Sequence, residues 1–295
     1  MREMAEERKW DGRTYGNGWM HRSLIGILRH LDVRILYVFS YVFVIPPCML
    51  GPGFKPIYHY FRQRRHDGPL KALLNTYRQH CMFAQVVIDR FAMYAGKHFE
   101  VEIEGYEHYR RLAHRPEAFI ILSSHVGNYE IAGYSLTANS KRLNAVVYYG
   151  EKASVMENRV RMFARTNIHM IPVRPDMSHL FELNDVLERG ETLSIPADRL
   201  FGSKKTIAKR FLGREADFPL GPFTVTIMRG LNALAVNVMK VKARKYKIYV
   251  TPLPYDKQAP RKEQTEQLST AYVRQLEHIL DRYPHQWYNF FEFWK

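Results

Sequence analysis

The chain has 295 residues, enough for one domain with a sizeable core or for two small ones. With 46% hydrophobic and 25% charged residues it is globular in composition, and its net charge of +15 points to a polyanionic partner: nucleic acid, an anionic membrane or phosphorylated substrates. Only two cysteines, Cys48 and Cys81, are present, which excludes a disulfide framework; neither has metal-ligand spacing, and no metal is expected.

Met1 to Arg22 is polar, and its opening residues lack the apolar core of a signal peptide. Ile35 to Phe54 is a run of twenty residues without a charge, long enough to cross a bilayer as a helix. Pro46, Pro47, Gly51, Pro52 and Gly53 argue against one straight span. The run is either a membrane-embedded or interfacial helix, or a core helix followed by a loop. Tyr37, Phe39, Tyr41 and Phe43 suit the interface zone and favour the first. Lys55 to Arg65 is basic and aromatic, as expected on the cytoplasmic side of a membrane. The expected organisation is therefore an N-terminal helical, membrane-associating segment over 1–66 and an α/β domain over 67–295.

Leu70 to Ala95 has apolar residues at helical spacing. His98 to Glu104 alternates as a half-exposed strand does. Ala118 to Glu130 reads as a buried strand, Phe119 to Leu122, running through two serines into His125, a glycine turn and Glu130. Further strands are expected at Leu143–Tyr149, Ile168–Val173, Thr192–Pro196, Val236–Val241 and Lys247–Leu253, the last two paired. Helices are expected at Val155–Arg165, Leu180–Leu187 and Glu263–Tyr283. The alternation predicts an α/β fold: a central, mostly parallel sheet with helices on both faces.

Three strands end in polar groups: His125 with Glu130, then Arg174, then Asp198 with Arg199. In an open α/β sheet the carboxyl ends of parallel strands share one edge, so these groups are candidates to converge. A neutral imidazole takes a proton from a hydroxyl near neutral pH, and a carboxylate on its other nitrogen fixes the tautomer. His125 and Glu130 are five apart and meet only if His125 lies in the turn and Glu130 on the first helical turn. The spacing alone favours a structural histidine beside an unrelated glutamate, and the strand–turn–helix context brings the two readings level. Arg174 and Asp198 also read as a strand exit and a loop cap. Leu200 to Lys247 carries eleven Lys and Arg against Glu215 and Asp217. Within it Lys204, Lys205, Lys209 and Arg210 are candidates to meet phosphate groups.

Four blocks, in order, resemble the lysophospholipid acyltransferase superfamily, and within it the late acyltransferases of bacterial lipid A biosynthesis of the Bacteroidetes type. They are Trp10-Asp11-Gly12 with Gly16; Ser124-His125-Val126-Gly127-Asn128-Tyr129-Glu130; Leu187-Glu188-Arg189-Gly190-Glu191 with Ile195-Pro196-Ala197-Asp198-Arg199; and Pro284-His285-Gln286-Trp287. The resemblance implies acyl transfer from a thioester of acyl carrier protein or coenzyme A, with no covalent enzyme intermediate and no cofactor. It gives His125 as general base and Glu130 as its orienter. An Asp and an Arg beside them would be Asp198 and either Arg174 or Arg165. The acceptor would be a phosphorylated glycolipid or lysolipid at the cytoplasmic face of the bacterial inner membrane, an anionic surface. Because a thioester is already activated, the chemistry needs a base, an oxyanion site and positioning, and backbone N–H groups at Gly127 and Asn128 are candidates for the oxyanion. Arg199 and the lysine run would bind acceptor phosphates or the acidic carrier. An amino-acid lipid or a polyene pigment is an alternative acceptor for the same fold. The competing reading from another class is a basic nucleic-acid-binding protein. No nucleic-acid partner is expected, since a glycine-aromatic RNA-binding motif, a finger spacing and an arginine-rich tail are all lacking.

Overall fold

A computed structural model describes residues 18–136, 141–148, 167–174, 176–200 and 205–294. The expected helix over Val155–Arg165, together with Arg165, Lys204 and the Trp10–Gly16 block, lies outside the described residues.

The apolar N-terminal run is helical but broken. Helix α1 is Gly18–His30 and α2 is Val33–Phe39, begun by the Asp32 carboxylate, which accepts from the Arg34 backbone N–H. A π turn at Ser40–Val44 leads into the short α3, Ile45–Cys48, where Pro46 and Pro47 occupy the first turn. Turns through Met49–Gly53 then separate it from α4, Phe54–His59. The prolines and glycines thus divide the twenty-residue run. Among the described residues no helix is long and apolar enough to cross a membrane. Helix α5, Pro69–Tyr94, is 26 residues long and starts with proline in its first turn. Leu28, Val33 and Tyr37 bury against Ile88, Phe91 and Ala92 of α5. The other face of the N-terminal helices is apolar and exposed: Ile35, Val38, Phe39, Val42, Phe43 and Leu50, with Leu70, Leu73 and Leu74 of α5.

The strands are β1 Glu100–Glu104, β2 Phe119–Ser123, β3 Leu143–Tyr148, β4 Ile168–Val173, β5 Thr192–Pro196, β6 Thr206–Phe211, β7 Arg214–Pro219, β8 Asn232–Lys242 and β9 Lys245–Pro252. Seven form one sheet in the order β1-β9-β8-β2-β5-β3-β4. β8, β2, β5, β3 and β4 run parallel; β9 turns back against β8, and β1 follows β9. β6 and β7 make a separate antiparallel hairpin within the basic Leu200–Lys247 stretch, a pairing that its charge pattern does not announce.

Between the strands lie α6 Tyr106–Ala113, a 3-10 turn Tyr129–Ile131 leading into α7 Ala132–Ser135, α8 His179–Glu188 and α9 Leu220–Met228, and α10 Arg261–Arg282 follows β9. β2 explains its own composition. Phe119 and Ile121 face a core with Tyr109 and Ala113 of α6, while Ile120 and Leu122 face one with Leu187 of α8, Phe223 of α9 and Leu276 of α10. Covered on both sides, the strand reads as an unbroken apolar run.

Candidate active site

The register of β2 and β5 brings His125 and Asp198 together. Ser123 pairs with Pro196, and each strand then continues two residues to its polar group. The Ala197 N–H donates to the Ser123 carbonyl at 2.9 Å, which carries the pairing past the strand ends. Asp198 uses both oxygens on His125. Oδ2 accepts from the His125 backbone N–H at 2.7 Å, and Oδ1 lies 2.8 Å from the ring Nδ1. With Nδ1–H donating to the carboxylate, Nε2 carries the imidazole lone pair.

The electrostatics favour a neutral base. Burial, then the neighbouring Arg199 charge, lower the His125 pKa below its ordinary value, and Asp198 opposes them only in part. Burial works against the Asp198 carboxylate, yet attraction to His125 and Arg199 and the bonds from His125 hold its pKa below the usual range. Arg199 is buried, donates to the Tyr288 carbonyl at 2.8 Å and lies over the Phe291 ring.

Glu130, expected to orient His125, is engaged elsewhere. Its carboxylate accepts from Tyr94 Oη at 2.9 Å and pairs with Arg90 Nε at 2.8 Å, both on α5. The turn opens as a 3-10 helix, which directs Glu130 toward α5, while the strand register already supplies His125 with Asp198. The carboxylate on the histidine is therefore Asp198, and Glu130 ties the turn to α5. Arg90 and Tyr94, four apart and so on one helix face, went unremarked in the sequence; polar groups at that spacing on an apolar helix were the available signal.

Gly127 and Asn128 do not offer their N–H groups to a substrate. The Gly127 N–H donates to the Gln286 carbonyl and the Asn128 N–H to the Val238 carbonyl, each at 2.8 Å. Both donors expected for an oxyanion instead fasten the turn to β8 and to the C-terminal segment. Gly127 has φ +65°, and a Cβ there would stand 1.9 Å from the Val238 carbonyl oxygen, so the position requires glycine. Gln286 is the clamp. Its side chain bonds both the N–H and the carbonyl of Lys240 on β8 while its backbone holds Gly127. Trp287, next to it, is buried among Tyr60, Phe211, Phe293 and Trp294. Ser124 receives a bond from Asn237, which Gln275 of α10 holds in turn.

Arg174 is exposed at the end of β4, three strands from β2, or roughly 14 Å at the usual strand spacing. It shares the carboxyl edge with His125 without joining the pair; its backbone N–H donates to His179 Nδ1. The expected lysine cluster is dispersed. Lys209 is buried, with Nζ on the Glu266 carboxylate at 2.5 Å and on Thr270 at 3.0 Å. Lys245 and Lys247 pair with the glutamates of β1, and Lys240 with Asp89. Strand pairing brings these cations to acids distant in sequence. Lys205 and Arg210 are exposed on the β6 strand side of the hairpin. Among the described residues no group of His, Cys, Asp or Glu could hold a metal ion.

Among solved structures the chain is similar to the 1-acyl-sn-glycerophosphate (LPA) acyltransferase, PlsC, from Thermotoga maritima, at 13% identity and a TM-score of 0.38, over 92% of this chain and 99% of that one. No curated protein matches the chain. Residues 78–295 match the family described as bacterial lipid A biosynthesis acyltransferase, a stretch that contains His125, Glu130, Asp198, Arg199 and Gln286. The chain is an acyltransferase acting on lipids, and it belongs to the bacterial lipid A biosynthesis acyltransferase family.

Proposed function

We propose that the protein is a membrane-associated O-acyltransferase that moves a fatty acyl chain from a thioester of acyl carrier protein or coenzyme A to a hydroxyl of a lipid A precursor or a related phosphorylated glycolipid. The observation that carries this reading is the His125–Asp198 pair at the carboxyl edge of the sheet. His125 Nε2 takes the proton of the acceptor hydroxyl as its oxygen attacks the thioester carbon. Asp198 holds the tautomer and stabilises the imidazolium. The positive charge of Arg199 beside the pair favours the developing oxyanion. The C–S bond then breaks, and His125 returns the proton to the leaving thiolate. No cofactor enters these steps.

The outward apolar face of the N-terminal helices supports membrane association. It includes Ile35, Val38 and Phe39 of α2 and Leu70, Leu73 and Leu74 at the start of α5, and exposed cations stand nearby in sequence: Arg22 and Arg29 on α1, Arg34 on α2 and Lys71 on α5. Apolar contact flanked by cations is what an anionic bilayer surface attracts. The reading puts the protein at the cytoplasmic face of the bacterial inner membrane, where its lipid acceptor would lie, and the exposed apolar face supports the membrane contact that this requires.

The test offers the full-length protein thioesters of acyl carrier protein and of coenzyme A. The acceptors are a phosphorylated glycolipid, a lysophospholipid and an amino-acid lipid, and products are read by mass spectrometry. Acylated glycolipid is the expected product. Acylation of the amino-acid lipid alone overturns the acceptor, and no acylated product from any combination overturns the reaction.

A further inference from the structure

A second buried ionic centre lies between the outward apolar helices and the His125 turn. Asp89 on α5 and Lys240 on β8 form an ion pair from which water is excluded. Tyr37 of α2 donates to Asp89 Oδ1, and Tyr246 of β9 donates to Asp89 Oδ2. Lys240 Nζ also lies 3.1 Å from Tyr37 Oη and 3.0 Å from the Ala243 carbonyl. Burial and then the Asp89 charge push both phenols up, so both keep the protons they donate. The Asn128 side chain continues the path by donating to Tyr246 Oη at 3.3 Å. Asn128 is three residues past His125 and is buried.

Stability alone does not explain this centre. Apolar residues of similar volume commonly replace a buried ion pair at no loss. A satisfied polar network fixes orientation, because each member has one set of partners. Here the two ends are distinctive. Tyr37 sits on the helix that exposes Ile35, Val38 and Phe39, and Asn128 sits in the turn that presents His125.

We propose that the Asp89–Lys240 pair couples the seating of α2 to the geometry of the His125 turn, with Tyr37, Tyr246 and Asn128 as positioning residues. The role rests on the acyl-transfer reading of His125. In it, docking of the apolar helices against a lipid surface reaches the site through one hydroxyl on α2 and one on β9.

Tyr37→Phe and Tyr246→Phe remove those hydroxyls and keep both rings. In the full-length protein, kcat and KM for the acyl thioester are measured together with the melting temperature and amide hydrogen exchange over residues 124–131. Each variant is expected to lower kcat about tenfold with KM within about twofold, and to raise exchange over 124–131 about tenfold. The double variant is expected to be no worse than the poorer single one, since both lie on one path. If kcat and exchange over 124–131 stay within twofold of the parent in Tyr37→Phe, the coupling is refuted. The same holds if only the melting temperature falls. Should Tyr246→Phe not fold, Tyr37→Phe decides alone. If the parent protein transfers no acyl group, the acyl-transfer reading fails, and the exchange measurement still decides the coupling.

Discussion

His125 and Asp198 face each other because each lies two residues past an in-register pair, Ser123 of β2 and Pro196 of β5. The contact is doubled, with one carboxylate oxygen on the backbone N–H and the other on the ring. Ring orientation is thereby tied to the sheet itself, and a carboxylate held this way sets the tautomer that a general base needs.

Removing the base should leave the fold intact. His125→Ala is expected to lower kcat about 10²–10⁴-fold, the usual contribution of a positioned general base. Steady-state kinetics with circular dichroism check both halves. Full activity in a folded variant contradicts the assignment.

The pH profile follows from the direction of the His125 shift. The base is the neutral imidazole, so activity is present above its folded pKa and lost as pH falls through it. Burial and Arg199 lower that pKa, so the acid limb of kcat/KM should lie below the ordinary 6.5. Arg199→Gln removes the lowering charge and should move the limb to higher pH, while Arg199→Lys should hold it. A limb that shifts down in Arg199→Gln speaks against this account.

Gly127→Ala should disable the turn. The left-handed conformation costs an L-residue about 1–2 kcal/mol, and the Val238 carbonyl occupies the space of the new methyl group. The expected result is a lower melting temperature, with faster exchange at the Gly127 and Asn128 amides and a lower kcat. An unchanged melting temperature and kcat would show that the turn is not clamped to β8.

The outward helical face can be tested apart from catalysis. Phe39 and Phe43 form a tilted ring pair with centroids 5.1 Å apart, and both are more than half exposed. Burying each in lipid is worth about 1.5–3 kcal/mol, so Phe39→Ser and Phe43→Ser should each weaken partition into anionic vesicles about tenfold or more. Co-sedimentation measures this. Unchanged partition in the double variant removes this face from the membrane contact.

Much of the fold was written in local pattern. The run Phe119–Leu122 announced a buried strand, the alternation of Glu100–Glu104 a half-exposed one, and the prolines after Val44 the break in the apolar run. The site was only half legible. His125 and Asp198 each stood out at a strand end, but their meeting depends on β2 and β5 being neighbours in register, a relation between segments about seventy residues apart. Glu130 stood at an inviting spacing and turned to Arg90 and Tyr94, because a 3-10 start rotates it toward α5. The lysine run looked continuous in sequence, yet Lys209, Lys240, Lys245 and Lys247 are held by acids on α10, α5 and β1. The Gln286 clamp was visible as a motif without a reason, since its partners lie on β8 and in the His125 turn.

The most direct measurement compares Asp198→Asn with Glu130→Gln in one assay of kcat and melting temperature. Asp198→Asn should lower kcat at least about 10²-fold, the lower end of general-base effects, with a smaller change in melting temperature than Glu130→Gln. Glu130→Gln weakens a buried ion pair whose outright loss costs about 3–5 kcal/mol. It should lower the melting temperature and keep kcat within about tenfold at temperatures where it is folded. A fully active Asp198→Asn beside a folded, inactive Glu130→Gln would contradict the His125–Asp198 assignment.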